Sequence, residues 1–324
     1  MKKLKYLGLF GMLISIAACS DDDEGLSGTL YVDDVYNEVA TTFDIQYGAN
    51  AALVGNVGPL FLDVYEPVGD GNSMRPTIVL AHGGAFVSGT KTSIRTICEA
   101  YALKGYTVAS IQYRLINDPN LLTAGDSIQF SEGVVLTLGD MKAAIRYLRN
   151  DALNGENQFN IDSDLMFAGG ISAGAIMANH IGYLDEDDDA IPEYLLDHIN
   201  THGGFEGNTN NIQVSSEVAG IVSFSGSLFR DKWINEGDVP IFMVHEEGDE
   251  IVPCNYEASG VFPFDILAYG SCELETRLVN ENVSYQYVFY PGVNNHVGYF
   301  SDFEMQGKEL IDLSATFLEN IINP

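Results

Sequence analysis

Short apolar runs alternate with helical periodicities from about residue 76 to the end of the chain. Pro76-Thr77-Ile78-Val79-Leu80-Ala81 is continuous, apolar and too short for a helix, so it predicts a buried strand. Thr92 to Lys104 has helical spacing, and Gly105 to Tyr113 is again a strand. Met141, Ala144, Ile145 and Leu148 share one face of a helix predicted over Leu138 to Asn150. The strand Asp164 to Gly169 leads into a helix from Ile171 to Leu184. Further strands are predicted at Val218 to Ser225, Val239 to His245 and Ser284 to Tyr290, with a closing helix from about Met305 to Ile322. Strands that are apolar throughout and separated by helices mean a mostly parallel sheet covered on both faces, an α/β architecture. Tyr31 to Pro67 behaves differently. There apolar and polar residues alternate around turn signals at Tyr47-Gly48 and Val57-Gly58-Pro59, which predicts antiparallel N-terminal strands.

Two stretches break the rhythm: Asp185 to Ser216, acidic and then Gly/Asn-rich, and Pro253 to Thr276. Elements of this kind are ordinarily joined by short loops, so both read as insertions (185–216 and 253–276) into a single domain spanning 31–324. They are expected over the carboxyl edge of the sheet, where open parallel sheets bind ligands.

Composition narrows the functional classes. Against 46 acidic side chains stand 15 Lys and Arg, a formal charge of −31. Nucleic-acid binding needs a basic stripe, and no Lys/Arg cluster occurs beyond the first five residues. The same shortage excludes a basic membrane-surface helix. At the N-terminus, Lys2, Lys3 and Lys5 precede an apolar run from Leu7 to Ala18 that is too short to span a bilayer, the pattern of a secretory leader over residues 1–18. Its end, Ile16-Ala17-Ala18-Cys19, resembles the bacterial lipobox. That resemblance implies a lipidated Cys19, an acidic flexible tether over 19–30 and an exported outer-membrane or cell-surface lipoprotein. Contact with a membrane would then be through the lipid alone. An unmodified signal peptide is the alternative.

An exported chain meets oxidising conditions, and Cys98, Cys254 and Cys272 remain once Cys19 is assigned to lipid. Cys98 lies in a helical pattern and reads as a buried small hydrophobe. Cys254 and Cys272 are close in sequence, so they read as the disulfide pair, the rival being three free thiols. No Cys-x-x-Cys spacing suggests zinc.

The chemistry is carried by Gly170-Ile171-Ser172-Ala173-Gly174, a Gly-x-Ser-x-Gly sequence set between a predicted strand and a predicted helix. Glycines on both sides permit a sharp turn that lifts a hydroxyl above the sheet, and a Ser hydroxyl becomes a nucleophile when a base removes its proton. Upstream, His82-Gly83-Gly84-Ala85-Phe86 follows a buried strand. Backbone N–H groups of such a loop can face a tetrahedral oxyanion without side-chain obstruction. Gly83, Gly84 and Ala85, with Ala173, are the expected oxyanion hole.

In these motifs the chain resembles the α/β-hydrolase superfamily and, within it, carboxylesterases and lipases related to hormone-sensitive lipase. The resemblance covers roughly residues 60 to 322 and includes Gly105 to Arg114 and Asp140 to Leu148. Ala85 stands where many members have a third Gly, as in smaller esterases and formamidases, and Ile171 where many have Asp or Glu. The family's order of nucleophile, acid and base implies Asp249, in His245-Glu246-Glu247-Gly248-Asp249, and His296, in Pro291-Gly292-Val293-Asn294-Asn295-His296. It implies hydrolysis of carboxylic esters, small or polymeric, through an acyl-enzyme, with no metal or organic cofactor. A catalytically silent surface-binding protein and a serine amidase or peptidase are the alternatives. Phe86, Tyr113 and the segment Val261-Phe262-Pro263-Phe264 are candidates for the substrate pocket, although aromatic residues at such places serve as core about as often.

Overall fold

The structure, a computed structural model, describes residues 28–324 except 70, 73, 190, 262 and 263. The predicted leader, Cys19 and most of the tether lie outside the described residues, as do Phe262 and Pro263. In chain order the strands and helices are β1 (Val39–Ala51), β2 (Val57–Pro67), β3 (Arg75–Ala81), α1 (Arg95–Leu103), β4 (Thr107–Ile111), α2 (Pro119–Ala124), α3 (Ser127–Asn154), β5 (Ile161–Ile171) and α4 (Ala173–Tyr183). They continue with α5 (Glu193–Thr201), β6 (Gly220–Phe224), β7 (Ser227–Leu228), β8 (Ile241–Glu246), β9 (Tyr256–Ala258), β10 (Leu267–Gly270), α6 (Ser271–Asn280), β11 (Tyr285–Tyr290) and α7 (Lys308–Ile322).

Eight strands form one sheet in the order β1-β2-β4-β3-β5-β6-β8-β11. The β1–β2 and β2–β4 pairings are antiparallel and every later neighbour is parallel. The apolar runs explain why. Ile78 and Leu80 of β3 enter a core with residues of α1 and α7, while Val79 and Ala81 enter a second core with residues of α3 and α4. A strand that feeds both cores can carry no polar face, and one whose neighbours are all parallel needs a crossover at each step. This is the α/β-hydrolase fold.

Some boundaries move. Residues 31–38 make turns rather than strand, tied to the end of α1 by Tyr31 N–H to Lys104 O at 2.8 Å and Tyr36 N–H to Leu103 O at 3.0 Å. Helix α3 starts at Ser127, well before the predicted Leu138, because Asp126 caps it by accepting the Gln129 N–H. The stretch 253–276 divides in two. Strands β9 and β10 join β7 in a separate three-stranded sheet, but from Ser271 onward the chain is α6, the crossover helix between β8 and β11, with Leu274 and Leu278 buried. The stretch 185–216 contains α5 and packs along α3, with Tyr194 reaching a cavity that it lines together with Tyr256 and Ile266. His198 faces the Ile128 carbonyl and His202 faces Glu132, both on α3, while Asn210 donates to the carbonyls of Tyr47 and Ala143. Its polar residues meet partners on α3 and β1, which is what holds it there.

Candidate active site

The turn from β5 into α4 carries Ser172 at φ 56°, ψ −119°, a conformation that L-residues rarely adopt. The surroundings enforce it. A Cβ on Gly174 would lie 2.0 Å from the Ala81 carbonyl oxygen, and one on Gly170 would lie 2.3 Å from the Gly174 carbonyl carbon. Only glycine lets strand, turn and helix approach this closely. The Ser172 N–H donates to Phe224 O at 2.8 Å, and its carbonyl accepts the Ile176 N–H at 2.9 Å. The hydroxyl is left to point out of the turn.

Three loops at the carboxyl edge converge on that hydroxyl. Ser172 Oγ lies 2.8 Å from His296 Nε2, and His296 Nδ1 lies 2.6 Å from Asp249 Oδ2. The other oxygen of Asp249 accepts the N–H groups of Ile251 at 2.9 Å and Val252 at 3.0 Å. Burial pushes the Asp249 carboxyl up, but the facing imidazoles of His245 and His296 outweigh it and hold the group down at about 2. Asp249 is therefore a carboxylate at any ordinary pH, able to accept Nδ1–H and leave Nε2 free to take a proton.

The loop after β3 lies against the same turn. Ala85 and Phe86 both have positive φ, 51° and 64°. Ala85 and Ala173 border a cavity beside Ser172, and neither the Gly84 nor the Ala85 N–H is taken up by another acceptor among the described residues. Ala173 opens α4, and the first N–H groups of a helix have no partner within it. Gly83 backs onto Ser172, where a Cβ would lie 3.2 Å from the Ser172 Cβ. Gly84 forms the turn itself, its carbonyl accepting Val87 N–H and Ser88 N–H at 3.0 Å.

The cavity measures about 530 Å³ and is open on one side. Phe86 and Phe130 meet edge-on in its wall, Ile176 and Phe229 extend it, and Ile266 and Ala268 cover it from the β9–β10 side. Tyr113 corrects an expectation: it does not line the cavity. It is 1% exposed, stacks on His82 at 4.3 Å and donates its O–H to the His82 carbonyl at 2.9 Å, so it supports the loop from behind. Val261 reaches the cavity, and Phe264 packs on Phe130. Cys254 and Cys272 form a disulfide at the base of the covering strands, and Cys98 is free and buried.

The motifs give no hint of what supports the acid. His245, wholly buried at the end of β8, lies 2.8 Å from the Val252 carbonyl through Nε2 and 2.9 Å from Ser271 Oγ through Nδ1. It stands 3.6 Å from Asp249 Oδ2, an ion-pair distance rather than a hydrogen bond. Only its place four residues before the acid, at the end of a buried strand, signalled a role. His180 is a different case: fully buried against Phe229 and Trp233, it is driven down to about 4 by burial and so stays neutral. Among the described residues no cluster of His, Cys, Asp and Glu could hold a metal ion.

Fold and site together define an α/β hydrolase. Residues 62–230 match the BD-FAE family, more than half of the chain, and the protein belongs to that family. Among solved structures it is similar to a thermophilic esterase from the Planctomycetes species Thermogutta terrifontis with propionate bound, at 19% identity and TM-score 0.58, covering 82% of this chain and 90% of that one. The esterase 2 of Thermogutta terrifontis phosphonylated by cyclosarin aligns at 20% identity and TM-score 0.60, covering 86% and 93%. The same enzyme phosphorylated by paraoxon aligns at 19% and 0.59, covering 85% and 94%. No curated protein matches.

Proposed function

We propose that this chain is a serine carboxylesterase in which Ser172, His296 and Asp249 act as nucleophile, base and orienting acid. The observation that carries the reading is the unbroken line of contacts, Ser172 Oγ to His296 Nε2 to Asp249, opening on an apolar cavity bordered by free backbone N–H groups. As the Ser172 oxygen attacks an ester carbonyl, His296 takes its proton and Asp249 stabilises the resulting imidazolium. The carbonyl oxygen, now an anion, is received by the N–H groups of Ala85 and Ala173, with Gly84 beside them. His296 returns the proton to the departing alcohol, and water then repeats the sequence on the acyl-enzyme. The structurally similar Thermogutta terrifontis enzymes, esterases that carry propionate or organophosphorus adducts, lend the same reaction independent support.

Replacement of Ser172 by Ala tests it. 4-Nitrophenyl acetate hydrolysis should fall below about one part in a hundred and fluorophosphonate labelling should vanish, with the melting temperature nearly unchanged. A variant that retains either activity or labelling refutes the assignment, and a wild-type chain that neither turns over nor labels is a silent binder.

A further inference from the structure

A second cavity, of about 560 Å³, adjoins the one at Ser172, and Phe229 and Ile266 line both. The two spaces differ in chemistry. Around Ser172 the lining is apolar apart from small hydroxyls and the Glu257 carboxylate. Beyond Phe229 and Ile266 stand Arg230, the hydroxyls of Ser127, Tyr194 and Tyr256, and, on an exposed position, Asp265.

Arg230 differs from the other cations of this acidic chain. Arg75, Lys91, Arg95, Lys104, Arg114, Lys142, Arg146, Arg277 and Lys308 each stand against a carboxylate. Arg149 is buried and spends its guanidinium on the carbonyls of Ser163, Ser215 and Glu217. Lys232 is exposed to solvent. Arg230 is half-buried, and among the described residues its only bond runs from Nη1 to the Phe229 carbonyl at 2.6 Å. Neither Asp231, next in the chain, nor Asp265 comes within ion-pair distance of it. Although the chain carries a charge of −31 and Asp265 lines the same cavity, four of the five donors of Arg230 make no bond among the described residues, beside a cavity that shares Phe229 and Ile266 with the one at Ser172. A planar fork with free donors is matched by a carboxylate, which accepts two parallel N–H groups.

We propose that the second cavity is an anion subsite and that the preferred substrates of this esterase are esters bearing a carboxylate, which Arg230 holds while the scissile carbonyl lies at Ser172. The inference rests on the esterase reading for its catalytic consequence but not for the binding itself. Phe229 and Ile266 would pack on the apolar spacer between the two ends of such a molecule, and the Tyr194 and Tyr256 hydroxyls would donate to the same carboxylate.

The test compares mono-4-nitrophenyl esters of linear dicarboxylic acids, from succinic to suberic, with neutral 4-nitrophenyl esters of equal length. 4-Acetoxybenzoate against 4-nitrophenyl acetate reports the alternative in which the anion sits on the alcohol side. In at least one series the wild type should favour the anionic ester in kcat/KM, and Arg230→Gln should lower the anionic-to-neutral ratio about tenfold or more, chiefly through KM. Should Arg230→Gln fail to melt cooperatively, Arg230→Lys, which keeps the charge and loses the fork, is read the same way. No anionic preference in the wild type, or a ratio that the substitutions leave unmoved, overturns the proposal. If no neutral ester is hydrolysed, the esterase reading has failed and the subsite stands or falls on calorimetric titration with glutarate. Binding by the wild type that Arg230→Gln abolishes supports the subsite; no binding overturns it.

Discussion

His245→Leu is the most informative single change outside the proposed trio of Ser172, His296 and Asp249, because His245 touches neither Ser172 nor His296 and still bears on both. Leucine fills much of the same volume but makes neither hydrogen bond. The Val252 carbonyl loses its partner at 2.8 Å and the Ser271 hydroxyl loses its partner at 2.9 Å, at positions 7% and 0% exposed. A buried polar group left unsatisfied costs about 1–3 kcal/mol, so the two together cost about 2–4 kcal/mol, since a hydroxyl can rotate toward another acceptor. For a chain of this size that is a fall in melting temperature of about 3–6 °C. The catalytic effect is separate. Val252 carries both the carbonyl held by His245 and one of the two N–H groups that hold Asp249, so releasing it lets the carboxylate drift from His296. A shift of about 1 Å in a positioned group costs up to about a hundredfold, so kcat on 4-nitrophenyl acetate should fall about tenfold to a hundredfold with KM little changed. His245→Gln sets an amide N–H near the lost Nε2 position and should recover part of kcat. Scanning calorimetry and steady-state kinetics on the two variants decide the matter. If His245→Leu melts lower as calculated but keeps kcat within about twofold of wild type, the residue is only structural and the positioning argument is wrong.

Two further outcomes follow from the same neighbourhood. Opening the Cys254–Cys272 bridge by changing both residues to Ser removes a cross-link across a sequence separation of 18, which should cost about 3 kcal/mol, seen as a lower urea midpoint. Because β9 and β10 rise from that bridge to cover the cavity, KM should increase more than kcat falls; equal effects on both would mean that the cover does not shape binding. Asp249→Asn should reveal an acid-dependent contribution. The carboxyl is lowered from its usual 3.8 to about 2, so its stabilisation, about 2 kcal/mol, is complete above about pH 5 and disappears as pH falls through about 2. The wild-type advantage over Asp249→Asn in urea titrations should therefore shrink between pH 5 and pH 2, and an advantage that stays constant would contradict the depressed value.

The elements that were legible in the sequence are those whose burial is uniform. Strands β3, β6 and β8 are buried at every position, and such runs have one reading when glycine, proline or polar residues bound them. The Ser172 turn was legible because close packing leaves glycine no substitute at 170 and 174. Helix α3 was half hidden. The part that was missed, Ser127 to Thr137, carries Gly133 and the β-branched Val134, Val135 and Thr137, which favour helix weakly, whereas Met141 to Leu148 kept a helical spacing. The cover over the cavity was legible only as an insertion at 253–276, not as strands. β9 has three residues and β10 four, and their exposure follows no alternation; what holds them is the flanking Cys254–Cys272 disulfide and pairing of β10 with β7. Contacts of that kind exist only after the chain has folded.

Within the run His245-Glu246-Glu247-Gly248-Asp249, Glu246 and Glu247 show how acidic residues can be structural without forming ion pairs. β8 and β11 are parallel neighbours with Glu246 opposite Tyr290, so the loops that leave their carboxyl ends travel side by side. The acidic residues bind one loop to the other. Glu246 accepts the Gly298 N–H at 3.0 Å, Glu247 accepts the Gly292 N–H at 2.6 Å, and the Gly248 N–H donates to the Val293 carbonyl at 2.9 Å. His296 thus hangs between points fixed on the loop that presents Asp249, and the separation of the two side chains depends on strand pairing as well as on either loop. Burial and the nearby charge of Asp249 push Glu246 up, which is the electrostatic cost of placing a second carboxylate there, and its bond from Gly298 works against that rise. The order of residues between 245 and 249 therefore follows from mechanics: each of them holds a different point of the loops that bring an imidazole to a serine.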